Sequence, residues 1–277
     1  DEGAAAIAEA LRGNEVLTSL DVGDNSLTEE AALSIVRVER QRNKLTSLFL
    51  GSCGIGPNGA AEIAEYMYVS GSGVLTTLNL RYNGIGAEGA KALASALRVN
   101  GVLTSLDVRG NKIGPTGATA IADALKGSAV LTDLNLFDNS FGDEGAKALA
   151  SALRVNAVLT KLNLCNNGIG PEGAKAIGKA LAVNGVLTDL NLSYNQIRDE
   201  GAAAIAEALR GNEVMKTLDL SGNRISDAGA KAIAEALRGN GVLKSIDLRS
   251  NRLGDEGERV VRDAVSWREG LKLREWF

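Results

Sequence analysis

The chain repeats itself. The stretch Leu103-Thr-Ser-Leu106-Asp-Val108-Arg-Gly-Asn111-Lys-Ile113 reads apolar, two polar, apolar, one polar, apolar, two polar, Asn, one variable, apolar. The same pattern starts again at Leu17, Leu45, Leu75, Leu131, Leu159, Leu187, Met215 and Leu243. The copies step by 28 residues everywhere except from Leu45 to Leu75, where the step is 30. A fixed period of this size means a solenoid, in which each unit buries its apolar face only by stacking on its neighbours. Repetition therefore overrides the two-domain prior that 277 residues would otherwise carry, and 1–277 reads as a single domain.

Each copy has two physical halves. Leu103, Leu106 and Val108 suit a short strand pointing into a core, which leaves Thr104, Ser105 and Asp107 to face water or a ligand. The Asn that follows marks a buried turn, where an amide can satisfy both a backbone donor and a backbone acceptor. This structural ladder is expected at Asn25, Asn83, Asn111, Asn139, Asn167, Asn195, Asn223 and Asn251, with Cys53 standing in once. The second half predicts a helix: Ala90, Leu93, Ala94 and Leu97 fall at i, i+3, i+4 and i+7 and make one apolar face. Asp143, Asp199, Asp227 and Asp255 sit just before the helices and are expected as N-caps. Pro57, Pro115 and Pro171 share that phase, where a missing N–H costs nothing. Asn100, Asn156, Asn184, Asn212 and Asn240 are expected to close the helices in a left-handed conformation.

The pattern LxxLxLxxNxL, followed by a Gly-Ala-rich helix in 28-residue steps, resembles the ribonuclease-inhibitor-like class of leucine-rich repeats. That class includes ribonuclease inhibitor, the sensor ends of NOD-like receptors and the Ran GTPase-activating protein. The resemblance covers essentially the whole chain. It implies an α/β fold, a right-handed βα horseshoe solenoid with parallel strands inside and helices outside. Nine strands at ~4.8 Å give an inner path of roughly 40 Å. One such fold hosts many binding tasks, so the task must be argued from the site.

Chemistry is scarce. The chain has no histidine, which removes Ser-His and Cys-His dyads and every His-containing metal site. Cys53 and Cys165 lie four repeats apart, roughly 19 Å along such a sheet, too far for a disulfide and too few for a metal site. Glycine pairs such as Gly84 and Gly86 recur once per repeat as turn residues, and no GxxxxGK[ST] is present. No catalytic residue, metal or cofactor is expected, and the chain is read as non-enzymatic. A net charge of −4 gives no reason to expect nucleic acid, and no apolar run reaches membrane-spanning length. Missing disulfides and the lack of a signal-peptide pattern point to a cytoplasmic setting.

What remains is binding. The polar strand positions and the two residues before each ladder Asn form the expected inner face. Its candidate ligand-binding members are Phe49, Arg81, Tyr82, Asp107, Arg109, Asp133, Phe137, Asp138, Lys161 and Tyr194, of which Asp107 stands at a position where Asp or Asn recurs as repeat consensus. Aromatics and arginines are enriched among interface hot spots, which centres the candidate epitope on Arg81, Tyr82, Arg109 and Phe137. The leading expectation is a monomeric scaffold that takes an unidentified protein on its concave face. A GTPase-activating regulator similar to the Ran protein is an alternative, weakened by the C-terminal Lys272-Leu-Arg-Glu-Trp-Phe where an acidic tail often follows. An engineered scaffold is another, since Gly89–Asn100 recurs as Gly145–Asn156 and Asp1–Val16 as Asp199–Val214. The second identity also suggests a fragment of a longer chain, or one without a dedicated N-terminal cap.

Three stretches depart from the pattern. Arg37, Glu39, Arg40 and Arg42 crowd one helix end and are expected as a solvated outer face, with a basic contact patch as the rival. Tyr66, Met67 and Tyr68 precede the two-residue insertion in Val69-Ser-Gly-Ser-Gly73. Residues 256–277 are expected to form the C-terminal cap, with Leu271 and Leu273 as a last strand and Trp267 or Trp276 covering the open core end.

Overall fold

The computed structural model describes residues 1–69 and 73–274; Trp276 and the insertion at 70–72 lie outside the described residues. The chain divides into two compact units, Asp1–Asn139 and Ser140–Phe277. The first unit runs α1 (Glu2–Arg12), β1 (Ser19–Asp21), α2 (Glu29–Arg42), β2 (Ser47–Phe49), α3 (Gly56–Val69), β3 (Thr77–Asn79), α4 (Gly86–Leu97), β4 (Ser105–Asp107), α5 (Gly114–Leu125) and β5 (Asp133–Asn135). Its strands pair in parallel and in chain order, aligning Leu20, Leu48, Leu78, Leu106 and Leu134.

The second unit runs α6 (Gly142–Leu153), β6 (Lys161–Asn163), α7 (Pro171–Leu181), β7 (Asp189–Asn191), α8 (Arg198–Gly211), β8 (Thr217–Asp219), α9 (Asp227–Gly239), β9 (Ser245–Asp247), α10 (Asp255–Val265) and β10 (Lys272–Arg274). Leu162, Leu190, Leu218, Ile246 and Leu273 align across its strands. In both units each helix packs on the next. Each unit is an α/β stack of strand–helix repeats on a parallel sheet.

The core is one repeated layer. Leu103, Leu106 and Val108 of the strand half and Leu93 and Leu97 of the preceding helix are all buried. Each such side chain contributes roughly 1.5–3 kcal/mol on leaving water. Small residues set the helix spacing. A Cβ on Gly201 would lie 2.7 Å from the Ala174 Cβ, closer than real carbons approach, so only glycine admits the neighbouring helix there.

The ladder asparagines join the repeats edge to edge. The Asn111 Oδ1 accepts from Asn83 N at 2.9 Å and Ile85 N at 3.3 Å, while its Nδ2 donates to Leu80 O at 2.9 Å and Val108 O at 2.8 Å. Asn195 and Asn223 act likewise in the second unit. Cys53 is fully buried, and its N–H donates to the Asn83 Oδ1 at 2.8 Å. Its thiol has no carbonyl oxygen to offer backward. Burial, aided by Asp24 and Asp21, pushes that thiol up to about 11.

Two capping expectations are corrected. Asp143 does not cap its own helix. It lies in the first turn of α6, and its Oδ1 accepts from Gly170 N at 2.7 Å and Gly173 N at 2.8 Å, at the start of α7. Asp199 and Asp227 reach forward in the same way, to Ser226 and Gly229 and to Gly254 and Gly257. Asp255 is itself helical, behind Gly254 as the N-cap. At α7, α9 and α10 the preceding repeat thus supplies a carboxylate to the helix start, while Thr28 and Ser226 cap their own helices.

Likewise, Asn212 and Asn240 end their helices in extended backbone, with φ of −84° and −88°, not in the left-handed region. Asparagine is needed there for its amide. The Asn184 Oδ1 accepts from Val186 N and Leu187 N, and its Nδ2 donates to Leu153 O at 2.7 Å in the preceding repeat.

The crowded end of α2 explains itself by the same geometry. Arg42 stands at the phase of Asn100, Asn184 and Asn212. Glu39 and Arg42 are not solvated, since both side chains are buried and paired at 2.8 Å. The Glu39 Oε1 accepts from Lys44 N and Leu45 N at 2.6 Å, the task of the Asn oxygen elsewhere. Arg42 donates to the carbonyls of Asn14 and Leu17, the task of the Asn nitrogen. An ion pair thus replaces an amide. Arg37 and Arg40 are on the surface, held by Glu30, Glu62 and Glu65, so no free basic patch results. Nearby, Tyr66 and Met67 are buried and Tyr68 is exposed.

At the C-terminal end, β10 forms next to β9 and Val261 and Ala264 are buried. Trp267 is 60% exposed, with its Nε1 donating to Ala264 O at 3.0 Å. It does not cover the core end, because the indole is held by the last turn of its own helix.

Candidate binding face

A row beside the ladder shapes the surface. The residue immediately before each ladder position is left-handed in every repeat: Asp24, Ser52, Tyr82, Gly110, Asp138, Asn166, Tyr194, Gly222 and Ser250. The backbone turns away from the sheet there, and a side chain is thrown outward. Tyrosine is an unusual occupant, since a bulky residue at φ near 53° carries strain. Each tyrosine is followed one repeat later by glycine. Tyr82 lies over Gly110, where an added Cβ would come 2.2 Å from the ring, and Tyr194 lies over Gly222 at 3.0 Å. The rings remain 46% and 61% exposed.

On the first unit, the sheet positions assemble around a shallow hollow of about 270 Å³ across β2 to β5. Phe49, Asp107 and Asp133 line it, with Asn79, Ser105 and Asn135. Asp107 is held by Arg109 at 2.7 Å and by the Asn135 amide at 3.4 Å. Arg81 reaches back across Gly51 to pair with Asp24. The Ser52 hydroxyl and that guanidinium hold the Asp24 carboxyl below the usual carboxylate range. Phe137 and Asp138 are half-buried at the turn after β5. Lys161 and Tyr194 are exposed in the second unit, so eight of the ten expected residues fall in the first unit and two in the second.

The glycine seats Gly110 and Gly222 escaped the sequence reading, whereas Ser105 was expected to face water or a ligand and lines the hollow. The glycine seats had a signal, a Tyr followed 28 residues later by Gly. Thr104 was read as facing water or a ligand, yet its hydroxyl donates to Thr76 O at 3.2 Å, and Thr46, Thr76, Thr132 and Thr188 repeat the bond to their own predecessors. The row is bound into the fold because the hydroxyl reaches the carbonyl of the neighbouring strand.

Among the described residues no group of three or more His, Cys, Asp or Glu could hold a metal ion, and no helix is long and apolar enough to cross a membrane. What the face offers is aromatic surface, amides and paired charges, which suit recognition of another surface.

Comparison with known proteins bears on the fold. The family model described as Leucine Rich repeat matches nine segments, 13–36, 42–64, 74–94, 99–122, 127–150, 155–178, 183–206, 211–234 and 239–257. No curated protein matches the chain. Among solved structures, the leucine-rich repeat-containing protein LegL7 from Legionella pneumophila is 18% identical, with a TM-score of 0.57 over 97% of this chain and 85% of that one. A chain titled Leiomodin-1 Actin-Binding Site 2 is 27% identical over 45% of this chain and 72% of its own, with a TM-score of 0.39. The nine matched segments span most of the sequence, and each repeat carries its strand, ladder position and helix. The chain belongs to the leucine-rich repeat family.

Proposed function

We propose that the chain is a non-enzymatic protein-interaction scaffold that takes a protein partner on the sheet face of its first unit. The observation that carries this reading is Tyr82. It occupies a strained left-handed position, its ring rests on a glycine that leaves room for it, and nearly half of it stays exposed. A rigid, supported aromatic loses little freedom on binding, which is what a hot spot needs. Phe49 and Phe137 add apolar area nearby, and Asp107, Asp133 and Asn79 add polar contacts that fix register. The scaffold acts as a monomer without cofactor or nucleic acid, in a reducing compartment that suits its two free, buried cysteines.

The test is capture from a lysate on the unaltered chain beside Tyr82→Ala/Phe137→Ala, read by mass spectrometry, with the urea midpoint of both checked. A partner held by the first and lost by the second supports the reading, with an expected loss of about 2 kcal/mol per truncated anchor. A partner held equally by both overturns the epitope.

A further inference from the structure

The Thr104 row changes character in the second unit. Thr188 still donates its hydroxyl to the preceding carbonyl, at 3.1 Å. The next two members of the row are Lys216 and Lys244, and Lys272 follows on β10, opposite Ser245 and one residue past the row. Lys216 N donates to Thr188 O at 2.7 Å and Lys244 N to Lys216 O at 2.8 Å; Lys272 N donates to Lys244 O at 2.8 Å, the bond that Ser245 N makes to Lys216 O one strand earlier. Lys216 and Lys244 therefore stand in register at the starts of neighbouring strands, Lys272 lies on the next strand one residue further along, and all three are exposed. At the strand spacing of ~4.8 Å their attachment points span roughly 10 Å, about one screening length at 0.1 M salt.

These lysines differ from those on the helices. Lys91, Lys147 and Lys175 each pair with a glutamate three residues back, at 2.7 to 2.8 Å. No ion pair joins Lys216, Lys244 or Lys272 to a carboxylate among the described residues. Of the nearest strand carboxylates, Asp247 pairs with Arg249, Asp219 accepts from the Ser221 hydroxyl, and Asp189 shares the Thr188 hydroxyl with Thr160 O. A fourth cation borders the row. Arg268 donates through Nη2 to Leu243 O at 2.6 Å, lies over the Trp267 ring, and its buried Nη1 has no partner. The chain as a whole is acidic, at −4, so this concentration of unpaired positive charge is local.

We infer that Lys216, Lys244 and Lys272, with Arg268 at their edge, form a docking strip for an acidic segment of a partner protein. One carboxylate cannot neutralise three ammonium groups spread over that distance. An extended peptide rises ~3.3 Å per residue, so three or four residues rich in Asp or Glu cover the strip. Lysine suits this task because its long stem lets a point charge follow a mobile carboxylate. Denser polyanions fit less well, since Asp219 and Asp247 lie on the same strands. The strip is separate from the aromatic face of the first unit and stands or falls without it.

The probe is fluorescein-labelled octaglutamate, followed by anisotropy at 20 and 200 mM NaCl. The variant K216T/K244T/K272T removes all three charges and restores, at 216 and 244, the threonine that earlier repeats carry at that phase. It is expected to weaken binding at least tenfold at 20 mM salt, and the affinity of the unaltered chain should fall steeply at 200 mM. The control K91Q/K147Q/K175Q removes the same charge from the helices and should change affinity less than twofold. Lys244→Gln alone, at the centre of the row, should cost about threefold and guards against misfolding of the triple variant. Tyr82→Ala/Phe137→Ala should bind octaglutamate as the unaltered chain does. Equal losses in the two lysine triples, or no binding by the unaltered chain at 20 mM, would overturn the strip. Tighter binding of an eight-nucleotide single strand than of octaglutamate, lost in K216T/K244T/K272T, would overturn the acidic-peptide occupant.

Discussion

Sixteen residues, Asp1–Val16, recur unchanged as Asp199–Val214, one copy in each unit. In the second copy Ile205 and Leu209 are fully buried, and the Asn212 Nδ2 donates to Leu181 O at 2.8 Å. The helix there runs fourteen residues, Arg198–Gly211. In the first copy Ile7 is half-exposed, the following Leu17 is 36% exposed, and the helix stops after eleven residues at Arg12. Forward contacts survive in both: Asp1 receives Thr28 N and Oγ1 as Asp199 receives Ser226 N and Oγ. The sequence of a repeat therefore sets what it offers to the next one. What it buries is set by the one before it, as a one-dimensional stack requires.

The comparison can be broken by experiment. The largest effect is expected where a neighbouring group holds a buried charge. Glu39→Ala strands Arg42 and should cost about 3–5 kcal/mol in urea unfolding, whereas Glu9→Ala, in the exposed copy, should leave the midpoint unmoved. Next comes Ile205→Ala, at about 2–5 kcal/mol, against roughly half that for Ile7→Ala. Equal losses at the two isoleucines would refute the account of burial by neighbours. Asn111→Ala should cost about 1–3 kcal/mol by leaving Asn83 N and Leu80 O unsatisfied, while Asn25→Ala, at an exposed rung, should cost less than about 0.5 kcal/mol.

The smallest effect is a cap. Burial would raise the Asp199 carboxyl, but the bonds from Ser226 and Gly229 outweigh it and leave it below its ordinary value. Its contribution is then complete above the unfolded carboxylate value near 4 and is lost as pH falls through the lower folded one. Asp199→Ala should cost about 1 kcal/mol at pH 7 and progressively less from about pH 4 downward. A penalty that stays constant to pH 2 would show that charge plays no part.

Much of this was legible because a repeat averages away accident. The leucines of the strands, the alanine faces and the three prolines at helix starts declare themselves by recurrence, nine times over or at one phase. What recurrence conceals is which neighbour a polar group serves. Asp143 at a helix start looks the same whether it caps its own helix or the following one. Asn212 looks like a helix terminator until its amide is seen spanning two repeats. Glu39 and Arg42 read as surface because the residue they replace, an asparagine, lies at the place of only one of them. The candidate face was legible as a row of positions, but Tyr82 gained its meaning only from Gly110, 28 residues away. Trp267 misled because size suggests a lid, while its ring nitrogen is held by Ala264 O.

One consequence of the asparagine ladder concerns length. Leu45 and Leu75 are 30 residues apart where other copies are 28 apart, yet Leu48 still aligns with Leu78, and Cys53 N still meets the Asn83 Oδ1 at 2.8 Å. The ladder thus gauges height along the stack and is blind to the contour of the chain between rungs. Insertions that fall between a helix and the next strand are invisible to it. A shift of one residue between strand and rung would be rejected at once. The array can therefore acquire loops of new length on that side without renegotiating its register, and evolution or design has a place to write there that the fold does not proofread.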